Sequence, residues 1–236
     1  MGVTERLRQA IGGAADWLIG VRDVALAALP WTDAGNSDQV GPCADLPLVI
    51  LPGILENPRY LRPLIAFLRA EGHPVTIVRS LGWNLSELGS SVDRAFAELA
   101  AADVQGAVIL AHSKGGLIGK AMLLDPRSDG VLRGMIAVAT PFNGSVLWKR
   151  AQASAAVKRS PLGLFHPEHV DLARLALEQG INDKIVSLAP RYDQVVPGGS
   201  RLEGAVNATL PVAGHFRSVR DRESWDVIHE HVDSFA

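Results

Sequence analysis

From residue 45 onward, short continuous apolar runs alternate with longer stretches whose apolar residues recur at helical spacing. Residues 46–51 read as a buried strand, and residues 58–70 as a helix with Leu61, Leu64, Ile65 and Leu68 on one face. A second strand follows at 75–78, then a helix over about 85–101 marked by Val92, Phe96 and Leu99. Residues 106–110 form a third strand that runs directly into another helix. A fourth strand is expected at 135–139, a fifth at 184–188 and a weaker sixth at 205–210, with a last helix over about 222–232. Strands that are continuously apolar are covered on both faces, and in alternation with helices this predicts a parallel sheet between helical layers. The expected fold class is therefore α/β, with about six strands and functional groups in the loops beyond their carboxyl ends.

The segment before this pattern behaves differently. Placed at 100° per residue, Arg8, Gln9, Asp16, Arg22 and Asp23 fall on one side, and Leu7, Ile11, Trp17, Leu18, Val21, Val24 and Leu29 share the other. That is an amphipathic helix, softened by Gly12, Gly13 and Gly20. Two readings stay open: a helix packed on the domain surface, or one that docks on a membrane interface or a partner. Pro30 and the turn-rich residues 33–44 separate it from the rest. The expected organisation is an N-terminal helix and linker over 1–45, followed by one domain over 46–236. No uninterrupted apolar run of about 18 residues exists, and Asp16, Arg22 and Asp23 spoil a signal peptide. The expected location is cytoplasmic, with peripheral membrane contact through residues 7–29 or a cap as the sharper option.

The charge balance excludes one class of partner: 23 basic residues against 25 acidic ones leave −2, with no global positive field to hold nucleic acid. The single cysteine, Cys43, excludes an intramolecular disulfide and a zinc site built from several thiolates. No H-E-x-x-H, P-loop or G-x-G-x-x-G motif appears, so no metal or nucleotide cofactor is expected. His166 and His169 are spaced i,i+3, the one pairing for which metal binding is conceivable.

The chemistry lies where the third strand meets its helix, in Ala111-His112-Ser113-Lys114-Gly115-Gly116. A serine at a sharp strand-to-helix turn is held in strained geometry with its hydroxyl projecting from the sheet. The turn closes only if the residues two before and two after it are small, as Ala111 and Gly115 are. Gly119 adds room between helix and strand. This segment resembles the nucleophile elbow of the α/β-hydrolase family, in its lipase- and esterase-like branch, which includes small bacterial triacylglycerol lipases. The resemblance covers the chain from about residue 46 to its end. The family's elbow usually reads G-x-S-x-G, and Ala111 is a mild departure from it.

The resemblance implies a chain order of serine, acid, histidine. His215, in Pro211-Val212-Ala213-Gly214-His215-Phe216, resembles the family's Gly-His loop after the last strand. Asp193, in Tyr192-Asp193-Gln194-Val195-Val196-Pro197, is similar to its acid after the penultimate strand. Asp183 precedes that strand, Asp125 ends the helix after the elbow, and His229 and His231 lie within the last helix. In Leu51-Pro52-Gly53-Ile54-Leu55 the resemblance implies an oxyanion hole built from the backbone N–H of Ile54 and that of Lys114, with Pro52 where the family often has histidine. Ala139-Thr140-Pro141-Phe142-Asn143-Gly144-Ser145 is similar to a family segment that shapes the pocket wall.

Residues 142–182 are longer than a plain connection needs. They carry Trp148, Leu162, Leu164 and Phe165, and a basic stretch with Lys149, Arg150, Lys158 and Arg159. A solvated excursion and a lid over an apolar acyl site are both open readings. The expected protein is thus a compact version of the fold, lacking the family's first antiparallel hairpin. The expected activity is hydrolysis of lipophilic carboxylic esters through Ser113, His215 and Asp193. Thioester cleavage and acyl transfer would use the same groups, and a non-catalytic membrane- or partner-binding protein is the competing class.

Overall fold

Six short apolar segments assemble the centre of the molecule: Leu48–Leu51 (β1), Val75–Ile77 (β2), Ala107–His112 (β3), Leu132–Val138 (β4), Ile185–Pro190 (β5) and Val206–Leu210 (β6). All pair in parallel, in the order β2-β1-β3-β4-β5-β6. The computed structural model describes residues 3–28, 46–145 and 160–236, with no description of the side chains of residues 3–8 and 10. The expected linker with Cys43 and the basic part of the expected cap, from Trp148 to Arg159, therefore lie outside the described residues.

Every side chain of β1 and β3 is buried, as their unbroken apolar runs require. Alternate residues serve opposite faces of the sheet. Val49, Leu51 and Ile109 join Val92 and Phe96 of Leu88–Ala101 (α3) and Leu117 and Met122 of Lys114–Leu124 (α4) in one core. Leu48, Ile50 and Val108 join Leu64 and Leu68 of Arg62–Ala70 (α2) and Ile228 and Val232 of the last helix in the other. At the β6 edge burial fails, and Val206 is half exposed, which is why this strand reads weakly in sequence. The expected start of α2 at residue 58 moves to Arg62, where Pro63 fits a first helical turn.

Two helices complete the chain's path. Val170–Leu177 (α5), not anticipated from the sequence, is capped by His169, whose ring accepts the N–H of Asp171. His166 accepts the N–H of Glu168 in the same way, so both rings of the i,i+3 pair serve as local caps. Arg222–Asp233 (α6) is the last helix. An N-terminal helix, Val3–Ala28 (α1), precedes the sheet. The strand order reverses between β1 and β3, and the loops beyond their carboxyl ends open into a crevice at this switch point.

Candidate active site

Ser113 sits alone between β3 and α4 with φ 50° and ψ −119°. For a non-glycine residue this conformation costs about 1–3 kcal/mol and persists only where the surroundings dictate it. Those surroundings leave no space. A Cβ on Gly115 would collide with the carbonyl oxygen of Leu51, one on Gly116 with Thr140, and one on Gly119 with the Met135 sulfur. The glycines therefore let the β1 loop and the Thr140-Pro141 segment close against the elbow. Lys114 is buried as well. Its Nζ donates to the Asn84 and Ser86 carbonyls at 2.8 and 2.6 Å, and burial lowers its pKa to about 8.

Asp193 and His215, set apart in sequence, meet at the ends of β5 and β6. His215 Nδ1 lies 2.8 Å from Asp193 Oδ2. The other oxygen, Oδ1, accepts the N–H groups of Val195 and Val196 at 2.8 and 2.7 Å. Burial alone would raise the Asp193 pKa, but the charge and hydrogen bond of His215 and the two backbone donors hold it below the usual carboxylate value. Burial likewise opposes an imidazolium at His215. The Asp193 carboxylate outweighs it, with smaller pulls from Glu56 and Asp16, and His215 is held above the ordinary histidine value.

The loop after β1 spends its backbone donors selectively. Leu55 N–H goes to the Trp83 carbonyl at 2.9 Å, and Gly53 N–H goes to Glu56 Oε2 at 2.7 Å. Ile54 N–H, between them, has no recorded acceptor among the described residues. Lys114 N–H opens α4, where first-turn donors have no acceptor within the helix.

Ser113 and His215 both line an apolar cavity of about 450 Å³. Ile54, Pro141, Leu162, Phe165 and Val196 supply part of its wall, Pro141 from the Thr-Pro segment and Leu162 and Phe165 from within residues 142–182. The rest comes from α1, through Trp17, Gly20, Val21 and Val24. This helix also turns two acids, Asp16 and Asp23, inward. Asp16 is fully buried and accepts from Gln194 Nε2 at 2.5 Å, Phe216 N at 3.0 Å and Arg217 N at 2.9 Å. It thereby touches the immediate neighbours of both Asp193 and His215. Asp23, also buried, pairs with Arg220 at 2.7 Å, and the Ala27 carbonyl accepts from Asn57. Ile11 and Leu18, by contrast, are 62% and 73% exposed.

The five residues singled out in the sequence thus come together at one end of the sheet. Three others were missed. Asp16 counted as part of the polar side of an amphipathic helix and as an interruption of an apolar stretch, although a pair of acids recurring on one side of such a helix could have signalled buried anchors. Glu56 and His112, which form a buried pair at 2.8 Å, carry no motif beyond their nearness to the oxyanion loop and the elbow.

No protein-family model matches the chain, and no curated protein does. Solved structures do. Lipase B of Aspergillus fumigatus superposes with a TM-score of 0.65 at 16% identity, over 84% of this chain and 55% of that one. A carboxylesterase structure from Nitrososphaera gargenis gives 0.59 at 14%, covering 81% and 91%. The chain has the α/β-hydrolase fold. A hydrolase of 2-hydroxy-6-oxo-6-phenylhexa-2,4-dienoate from a Rhodococcus strain shares it too, at 0.53 and 13%, covering 81% and 90%. Sharing the α/β-hydrolase fold does not by itself name a reaction.

Proposed function

We propose that the protein is a serine hydrolase that cleaves carboxylic esters of lipophilic acids through an acyl-enzyme. One juxtaposition carries this reading: the strained Ser113 and the carboxylate-bound His215 share the wall of a single apolar cavity. Ser113 Oγ attacks the ester carbonyl while His215 Nε2 takes its proton. The negative charge on the tetrahedral oxygen is met by the N–H groups of Ile54 and Lys114. A backbone donor of this kind is worth about 10²–10³ in rate. His215 then protonates the departing alcohol, and water repeats the sequence on the acyl-enzyme to release the acid. Asp193 holds the imidazole tautomer and stabilises the imidazolium. A thioester or an acceptor alcohol would fit the same steps, and the apolar wall specifies the acyl group alone.

A fluorophosphonate probe should label the wild-type protein and leave Ser113→Ala unlabelled; equal labelling of the two removes Ser113 from the role of nucleophile. On a series of p-nitrophenyl esters, kcat/KM should rise about fourfold for each methylene the cavity takes up, the value of about 0.8 kcal/mol per buried CH₂. A flat series would count against a lipophilic acyl site.

The same reading assigns α1 to a lipid surface. No helix among the described residues is long and apolar enough to cross a membrane. The outer side of α1 nevertheless exposes Ile11, Leu18, Val21 and Leu26, continuous with the cavity wall formed by Trp17 and Val21. Its two acids are buried, so over residues 11–28 no acidic side chain faces outward to repel an anionic surface, and the exposed Arg22 is paired with Asp23. Ser113→Ala protein, unable to turn over, should sediment with vesicles containing anionic lipid. Adding Leu18→Glu should abolish this, while Leu18→Glu alone keeps short-chain ester turnover within about twofold. Vesicle binding that survives Leu18→Glu, or a dimer that this change dissociates, would overturn the assignment.

A further inference from the structure

Beneath the site lies a buried pair that the proposed chemistry does not use. Glu56 follows the oxyanion loop, and its Oε2 accepts the Gly53 N–H at 2.7 Å. Both carboxylate oxygens lie against His112 Nδ1, at 2.8 and 2.9 Å. The other ring nitrogen, His112 Nε2, is 3.3 Å from the carbonyl oxygen of His215. Both side chains are within a few per cent of complete burial. Both ring nitrogens of His112 therefore face acceptors.

A neutral imidazole carries one N–H and one lone pair. In either tautomer one lone pair of His112 would oppose an oxygen. The imidazolium satisfies both directions, and Glu56 supplies the opposite charge that a buried cation requires. The pair also has a mechanical reach. It begins at the residue before Ile54, passes through the residue before Ser113 and ends on the backbone of His215. We propose that Glu56 and His112 form a buried ion pair that positions the oxyanion loop and the histidine loop around Ser113. Both are positioning residues, and the proposal rests on the reading of Ser113 and His215 given above.

The charges around His215 give this a second consequence. Asp193 bonds to its ring, while Glu56 and Asp16 act on it from the β1 loop and from α1. The His112 ring lies 4.9 Å from that of His215. The Tyr60 ring is stacked on His112 at 6.4 Å, and its hydroxyl is kept neutral, chiefly by burial. Arg220, whose charge acts on Tyr60, is engaged with Asp23 and the Tyr60 carbonyl. A protonated His112 is thus the group that offsets Glu56 beside His215.

The direct test is ring-nitrogen NMR on histidine-labelled wild-type protein. His112 should show two N–H groups at neutral pH. In Glu56→Gln it should show one. A neutral His112 in the wild type, or two N–H groups that persist in Glu56→Gln, would overturn the ion pair. Neither readout depends on the nucleophile, so failure of the hydrolase reading would be seen separately, as equal probe labelling of wild type and Ser113→Ala. On a soluble short-chain ester, Glu56→Gln should lower kcat about 10–100-fold, the cost of a small misplacement, with KM within about twofold. Because His112 gives up its proton when residue 56 loses its charge, the acid limb of the profile should hold its position. His112→Asn added to Glu56→Gln should cost no more than about a further twofold. An unchanged kcat, or losses that multiply, would remove the positioning role.

Discussion

Asp193→Asn should lower kcat for ester hydrolysis by about 10⁴-fold while the protein remains folded. The two halves of this expectation come from the two carboxylate oxygens. Oδ1 accepts the Val195 and Val196 N–H groups, and an asparagine oxygen can keep both bonds. Oδ2 faces His215 Nδ1, and there the amide places an N–H donor. The imidazole must then turn its lone pair toward residue 193 and carry its proton on Nε2, the nitrogen required to act as base. The pH profile should change as well. His215 needs to be neutral to act, and in the wild type the Asp193 charge overrides burial to hold its pKa up. The wild-type acid limb of kcat/KM should therefore lie above the ordinary histidine value. In Asp193→Asn burial prevails, and the residual activity should show its limb at lower pH. Steady-state rates across pH, with thermal unfolding as the folding control, check both halves. A loss below tenfold would mean that this carboxylate does not orient the base.

Asp16→Ala should destabilise the protein by about 3 kcal/mol, or about 10 °C in melting temperature for a chain of this size. The carboxylate is fully buried and accepts three hydrogen bonds, two of them from the backbone of Phe216 and Arg217. Deleting it strands those two donors under α1, and each such orphan costs about 1–3 kcal/mol. Activity should fall unevenly. The cavity loses the wall built from Trp17, Val21 and Val24, so long-chain esters should suffer more than short ones. Urea unfolding and paired assays on short and long p-nitrophenyl esters measure this. Leu18→Ala, on the exposed side of the same helix, should stay within about 0.5 kcal/mol of wild type. Equal stability of Asp16→Ala and wild type would show that α1 is not fastened through this residue.

The sheet was legible because burial on both faces writes itself into unbroken apolar runs such as those of β1 and β3. The elbow was legible because a strained turn admits only small neighbours, and Gly115 and Gly119 meet that demand without reference to distant residues. The orientation of α1 was not. Periodicity tells which residues share a side, but not which side meets the body, and the usual preference for apolar contact would have turned Asp16 outward. Its partners, Gln194, Phe216 and Arg217, lie near the other end of the chain and carry no local mark of the association. Glu56 and His112 escaped for the same reason: their pairing exists only once the oxyanion loop has folded over β3. Helix α5 is eight residues long and capped by a histidine ring, too short and too unusual a start to stand out.

The separation between Asp16 and its three hydrogen-bond donors, 178, 200 and 201 positions along the chain, bears on the order in which the protein can be completed. During synthesis α1 leaves the ribosome well before the groups that hold it. Chains are made at about 5–20 residues per second, so the helix waits for about ten seconds or longer before its carboxylates find their donors. Through that interval its two sides have no partner, and the cavity beside Ser113 lacks a wall. The helix is made long before it can be fastened, and the apolar cavity gains its full wall only then.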